Sequence, residues 1–432
     1  MDHSTNGTPD RPRSRRGVLA RRDFRLLWTG ETVSALGNGI TAVALPLIAV
    51  EVMGAGSTAV GLLAAAVWLP WLLVGLPVGA WVDRVRRRPL MIACDTVSAT
   101  ALASVPLAAW SDALAFPHLV LVALTCGTAA VCFDTSQHAY LRIVLDGRDL
   151  TEGNAALQGS EAAARVAGPG VAGLLAQAFG VVTALVADAL TFLVSAVCLK
   201  RIGAVEPDRA PGGERPSLRQ QIAEGLRFVG RDRYLRPMAV WGAVTNLALA
   251  GYQAVHVVFL VRTVGLDPAA VGLLLTGGSA GGIVGALAAA RLGRRFGTAR
   301  GLLLLQAVTA PFALLLPATT AGAGLLLFAT GSFLVGVGVS AANVVVAGFR
   351  QAYCPPHMLG RVVATAMVVN HGTIPVGALL GGLLGDAAGY RPAMWTMTGI
   401  VALSWLLLVL SPIRRERDLP GTREAERAGP RR

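Results

Sequence analysis

Twelve stretches of about twenty apolar residues, joined by short polar connectors, recur along this chain and decide what it can fold into. A helix rising about 1.5 Å per residue needs roughly 20 such residues to cross the hydrocarbon of a bilayer. The stretches lie near 26–50, 58–82, 90–110, 117–140, 155–178, 181–200, 237–261, 268–290, 300–317, 320–346, 362–385 and 392–411. Several are rich in glycine, which weakens a helix in water but lets helices approach closely in lipid. The expected fold is an all-α membrane protein of twelve transmembrane helices, with the lipid bilayer as its solvent.

Composition points the same way. Hydrophobic residues make up 54% of the 432 and charged ones only 15%, where a soluble protein carries about 25%. A net charge of +13 would suit a nucleic-acid binder if the basic residues shared one face. They lie instead in connectors between apolar stretches, so no nucleic-acid partner is expected. The five cysteines (Cys94, Cys126, Cys132, Cys198 and Cys354) show no CxxC or metal-ligand spacing, and four sit inside apolar stretches as small helix residues. No metal or cofactor is expected. Walker P-loop and HExxH motifs are missing, which argues against direct ATP drive and against an enzyme.

With the N-terminus in the cytoplasm, 35 of the 38 basic residues fall on the cytoplasmic side, in both tails and in 84–88, 142–148, 200–236, 291–300 and 350–361. Arg262 and Arg391 fall in outer loops, and Arg165 lies within a span. The positive-inside rule requires such an imbalance, and one missed or extra helix would scramble it. Both termini are therefore expected in the cytoplasm, with the chain in a bacterial inner membrane. Residues 1–22 and 412–432 are rich in Pro, Gly, Arg and Glu and are expected to be disordered tails. The first apolar stretch is too long for the core of a cleavable signal peptide.

The connector 201–236 divides the spans six and six, giving bundles over 23–200 and 237–411. Within it Leu218–Phe228 has helical periodicity, as a solvated linker helix or one lying on the membrane surface. The bundles echo each other. Gly173-Leu174-Leu175, Ala178 and Gly180 are matched by Gly382-Leu383-Leu384, Ala387 and Gly389, an offset of 209. Gly75 with Arg84–Arg88 is matched by Gly285 with Arg291–Arg295 at nearly the same offset. Two duplicated halves around a central cavity form an architecture for alternating access, in which one half rocks on the other around a small-molecule substrate. A monomer suffices for it.

After span two comes Gly79-Ala80-Trp81-Val82-Asp83-Arg84-Val85-Arg86-Arg87-Arg88. Asp83, at a helix end, can accept hydrogen bonds from a neighbouring helix N-terminus and pair with arginine, forming a latch that holds the inner face shut. The arginines alone would serve as positive-inside anchors. Span five carries Gly168-Pro169-Gly170-Val171-Ala172-Gly173, where Gly and Pro favour a kink. The first segment resembles the motif G-x-L-x-D-R-x-G-R-[RK] of the major facilitator superfamily. Gly79, Asp83, Arg84, Arg87 and Arg88 match, while Trp81 replaces Leu and Arg86 replaces the second Gly. The second resembles the G-P-x-x-G-G motif of that superfamily's antiporters, with Ala172 in one Gly place. An ordered series resembles exporters related to macrolide-efflux and enterobactin-efflux proteins. It comprises Asp23-Phe24-Arg25-Leu26-Leu27-Trp28, Ser34-Ala35-Leu36-Gly37, Phe133-Asp134 with Gln137, Asp188-Ala189-Leu190-Thr191-Phe192, Glu224-Gly225-Leu226-Arg227-Phe228 and Gly360-Arg361-Val362. The resemblance covers residues 23–411 and implies proton-driven export of a small amphiphilic compound, with protons as the second partner.

Ionisable groups inside spans are costly and are candidates for the coupling. They are Glu31, Asp95, Asp134, Glu161, Arg165 and Asp188, together with His256 and His371. Glu31 and Asp95 each lie roughly 8 Å in from the cytoplasmic side. Either can exchange a proton between the two sides, or pair with loop arginines such as Arg25 and Arg88. Glu161 and Arg165, at i and i+4, share a helix face and can form a structural pair or a switch. Asn38, Asn246, Gln253, Asn343 and Asn370 are polar within spans, and with Trp68 and Trp71 of span two they are candidates to line the cavity. For each asparagine and glutamine a helix-to-helix hydrogen bond is the alternative. The expected function is proton-coupled export. The alternatives are a facilitator or importer of the same fold, and a membrane sensor or assembly partner without flux.

Overall fold

The computed structural model describes residues 17–82, 85–146, 149–204, 206 and 218–420. The described residues are helical nearly throughout. α1 (Arg22–Leu47) continues through a π-helical turn at Ile48–Val52. α2 (Ser57–Leu73) breaks at Val74 before α3 (Gly75–Val82). α4 (Arg87–Trp110), α5 (Phe116–Val144), α6 (Leu150–Phe179) and α7 (Val181–Arg201) follow. After α8 (Leu218–Arg231), α9 (Leu235–Val258) ends as α1 does, in a π-helical stretch, here Phe259–Val264. The remaining helices are α10 (Pro268–Phe296), α11 (Thr298–Thr309), α12 (Leu325–Tyr353), α13 (Pro356–Ala388), α14 (Tyr390–Ser404) and α15 (Leu406–Val409).

Among the described residues, ten helical stretches are long and apolar enough to cross a membrane. Two expected spans fall short, each for a chemical reason. The one expected at 58–82 is divided into helices of 17 and 8 residues. The one expected at 155–178 lies in α6, which is 30 residues long but carries Glu152, Glu161 and Arg165. Both nonetheless pack among the others, α2 against α5 and α13, α6 against α1 and α10. Leucines 107, 121, 287 and 410 are 62–79% exposed, an apolar outer surface of the kind lipid covers. The chain is a multi-pass membrane protein.

The N-terminal helices pack on one another chiefly through α1–α7, α4–α7 and α1–α6, and the C-terminal ones through α10–α12 and α9–α13. Between the two sets the main contacts are α2–α13 and α6–α10. These crossings are tight at the end of the molecule opposite the termini. A Cβ on Gly173 would lie 2.6 Å from the Pro268 carbonyl oxygen, and one on Gly382 would lie 2.6 Å from that of Ser57. The two glycines that echo each other in sequence thus perform the same task, letting backbones touch where the halves meet. Asp386 reinforces the α2–α13 crossing. Its carboxylate accepts the Ser57 and Thr58 backbone N–H groups at 2.9 Å each and the Ser57 hydroxyl at 2.9 Å. A side chain from the second half thereby caps the N-terminus of a first-half helix, where bare N–H groups favour a negative charge.

At the other end, segments expected in the tails are packed. Val18 and Ile413 are buried, Glu152 accepts the Val18 N–H, and Asp418 accepts the Thr298 N–H at the start of α11. Helix α8 rests on α13 rather than standing free in solvent or lying apart on the membrane surface. Arg361 pairs with Glu224 at 2.6 Å, and a Cβ on Gly225 would meet the Arg361 carbonyl oxygen at 2.6 Å. The motifs at 224–228 and 360–362 are therefore the two sides of one contact.

Candidate functional site

Two chambers of about 290 Å³ each open between the helices, one in each half. They lie toward the end that carries the termini, away from the tight crossings. The first is formed by α1, α4, α5, α6 and α7, with Trp71 of α2 at its edge. Helical spacing places its polar residues. Glu31, Ser34, Asn38 and Thr41 recur every three or four residues along α1 and so share one face. Glu31, Asp95, Asp134, Glu161 and Asp188 all line it, so five of the expected coupling residues converge on one space.

Their surroundings differ. Asp188 is fully buried and satisfied: the Thr41 hydroxyl donates to one carboxylate oxygen, and the Thr191 hydroxyl donates to the other at 2.9 Å. Its Oδ1 lies where a Cβ on Gly37 would stand, so Gly37 of α1 makes room for the Asp188 side chain of α7. Asp188 thus ties α1 to α7 in the interior. Asp95 is 2% exposed, and its Oδ2 has no hydrogen-bond partner; Glu31 Oε1 is likewise buried without one. A proton, a water or a substrate ammonium would supply the missing donor. Asp134 is half exposed, 3.7 Å from His138. Arg165 donates to Glu161 at 2.6 Å, with both side chains more than half exposed. Gly168 of the Gly-Pro motif lies against Gly39 of α1, and Gly173 against Gly272 of α10, so these glycines serve close packing.

The second chamber is formed by α9, α12 and α13, with α8 across one side. Asn246, Asn343 and Asn370 line it, and no carboxylate does. Trp241 Nε1 and Thr245 Oγ1, each on a residue 5% exposed, have no partner, and neither has the buried Nε of Arg350. Gln253 lines neither chamber; its carbonyl oxygen accepts a 2.7 Å bond from Nδ1 of the buried His256. Between the chambers the His371 ring of α13 stacks with Trp68 and Trp71 of α2, 5.3 Å from each centroid.

Of the residues expected to form an inner latch, Asp83 and Arg84 lie outside the described residues. Gly79 falls in α3. The backbone N–H groups of Arg87 and Arg88 donate to Glu206 at 2.9 and 2.7 Å, and the Arg88 guanidinium donates to the Leu199 and Lys200 carbonyl oxygens at 2.9 and 2.5 Å. Arg88 thus holds the C-terminus of α7, within its own half. Arg350, Asp386 and Thr41 belong to these sites although the sequence does not single them out. Arg350 stands seven residues after Asn343, two helical turns along the same face, and that spacing is the signal joining it to the cavity. Among the described residues no group of His, Cys, Asp and Glu could hold a metal ion.

Residues 15–425 match the family model described as transmembrane secretion effector. The chain is 29% identical to the multidrug efflux pump Tap of Mycolicibacterium fortuitum, over 94% of this chain and 98% of that one. It is 20% identical to macrolide efflux protein A of Streptococcus pyogenes, over 91% and 96%. Its fold superposes on a bacterial homologue of the iron transporter ferroportin with a TM-score of 0.73, at 16% identity and covering 91% of this chain and 99% of that one. These relatives are transporters, not enzymes, and the chain belongs to the transmembrane secretion effector family of the major facilitator superfamily.

Proposed function

We propose that this transporter exports a small amphiphilic compound in exchange for protons, and that the structure is its inward-facing state. The observation that carries this is the first chamber: carboxylates with unpartnered oxygens, Glu31 and Asp95, face a cavity sealed at its far end by the Gly173, Gly382 and Asp386 contacts. The efflux pumps named above are consistent with the direction. Taking the termini as cytoplasmic and the segments 58–82 and 155–178 as membrane-spanning gives twelve spans in two bundles, 23–200 and 237–411.

In this scheme Glu31 and Asp95 are the sites that protons and the substrate occupy by turns. Substrate entering from the cytoplasm displaces protons there. The halves then rock open at the far end, and protons arriving from outside displace the substrate and allow return. Coupling needs only that each ligand favour one state over the other. Asp188, with both oxygens bonded to threonines, holds α1 on α7. Asp83 with Arg84, Arg87 and Arg88 forms the opposite latch once the inner end closes.

The test is purified protein in liposomes, with an imposed pH gradient and a fluorescent amphiphile. Uphill movement of the amphiphile, driven by protons flowing the opposite way down their gradient and abolished by an uncoupler, is the expected result. Equilibration without regard to the proton gradient would indicate a facilitator. No flux, with ligand binding retained, would indicate a sensor.

A further inference from the structure

We infer that the second chamber is the seat of a carboxylate, and that the substrate is a zwitterionic amphiphile whose ammonium faces the first chamber and whose carboxylate faces Arg350. The inference rests on the export function proposed above and adds the class of compound carried.

The two chambers are chemical opposites. In the first, five carboxylates line the space, and one of them, Glu161, is already bonded to Arg165. The second contains donors: the guanidinium of Arg350, the indole N–H of Trp241, the hydroxyl of Thr245 and the amides of Asn246, Asn343 and Asn370. Arginine and the indole can only donate, and each amide offers two N–H groups. The donors of Trp241 and Thr245 are buried and unpaired, and no ion pair holds Arg350 among the described residues. Leaving such groups without acceptors is costly.

An anchor for the membrane surface would not look like this. Arg294 and Arg295, near the end of α10, are exposed as an anchor should be. Arg350, whose Nε is buried without a partner, lines a chamber whose walls also carry apolar groups such as Val339 and Val346, with the exposed Arg236 among its other lining residues. A guanidinium fork matches a carboxylate with two parallel hydrogen bonds, better than it matches any neutral acceptor. The apolar walls suit the hydrocarbon or ring to which that carboxylate is attached.

The experiment uses the full chain in nanodiscs of neutral lipid and two rhodamines that differ in one group. The methyl ester is a cation; the free acid is a zwitterion at neutral pH. Equilibrium binding is read by fluorescence anisotropy. The free acid should bind at least about tenfold more tightly than its ester. Arg350→Gln should bring the ratio of the two affinities to near one, Arg350→Lys should keep part of the preference, and Trp241→Phe should reduce it by about threefold. The ratio within each variant is the readout, so loss of folded protein does not mimic the result, and the wild-type pair and Arg350→Lys decide the matter if Arg350→Gln does not fold.

Equal binding of the two dyes, preference for the ester, or an unchanged ratio in Arg350→Gln overturns the assignment. Displacement of both dyes alike by added phosphatidylglycerol, without preference for the acid, overturns it in favour of a lipid headgroup. Flux is measured separately in liposomes. A binding preference that persists without proton-driven flux supports the chamber and removes the exporter; proton-driven flux of both dyes at equal affinity does the reverse.

Discussion

The two halves of this transporter repeat one another in packing and differ in charge. Gly173 and Gly382 occupy matching places at the crossing of the halves, and both α1 and α9 end in π-helical turns. Yet the first half places five carboxylates around its chamber, while the helices α9 to α14 contain one acid, Asp386, and hold it at the sealed end as a cap on α2. Duplication kept the rocking frame and left the chamber walls free to diverge. Backbone contact between glycines depends on shape and must be kept on both sides. A carboxylate facing a cavity depends on what the cavity holds.

This contrast is most exposed to test at the carboxylates. Asp95→Asn or Glu31→Gln should lower proton-driven export in liposomes by at least about tenfold, because the isostere cannot exchange the proton. Asn343→Ala in the opposite chamber should change substrate affinity by about threefold and leave the dependence on the pH gradient in place. If the asparagine variant uncouples and the carboxylate variants do not, the assignment of protons to the first half is wrong.

The shared frame comes next. Gly382→Val puts branched carbon where the Ser57 carbonyl oxygen lies 2.6 Å from the position of a Cβ. The far end should no longer close. Spin labels at Ser111 and Thr320, both exposed and both at that end, should move from a short to a long distance in most molecules. Asp386→Asn tests the same end more gently. A helix N-cap is worth about 1 kcal/mol, so the open population should rise by roughly fivefold to tenfold in the same label pair. An unmoved distance in both variants would mean that the sealing contacts lie elsewhere.

Much of this frame is legible in the sequence because it follows from hydropathy and periodicity. The apolar stretches mark the helices, and the offset of 209 between Gly173 and Gly382 picks out two glycines that meet the opposite half in the same way. The carboxylates of the first chamber stand out because an ionisable group in an apolar run is conspicuous. What the sequence hides lies at helix ends. Arg350 falls just past an expected span and looks there like one more anchoring arginine; α12 runs on to Tyr353 and carries it to the chamber. Asp386 falls one residue beyond its expected span, and α13 runs to Ala388. The turns by which a helix runs on past its apolar stretch carry no hydropathy signal. Asp188 is hidden in another way. Its presence in a span is plain, but the hydroxyls of Thr41 and Thr191 that satisfy it come from two helices, and spacing along one helix cannot show that.

The smallest effect concerns α8, the element that has no counterpart in either half. It lies across the second chamber and is tied to α13 by Glu224 and Arg361 at 2.6 Å, each about one-third exposed. A pair so exposed is screened by water and salt, and its loss should cost at most about 1 kcal/mol. Glu224→Gln should therefore speed backbone hydrogen exchange in α8 by no more than about fivefold and leave transport nearly as it was. Gly225→Val acts on shape instead, since a Cβ there would lie 2.6 Å from the Arg361 carbonyl oxygen and would push α8 off α13. If α8 serves only to join the halves, the two variants should differ in exchange and agree in transport. If Gly225→Val also lowers affinity for the substrate while Glu224→Gln does not, α8 is part of the second chamber's wall. The asymmetry between the halves then extends to the linker itself.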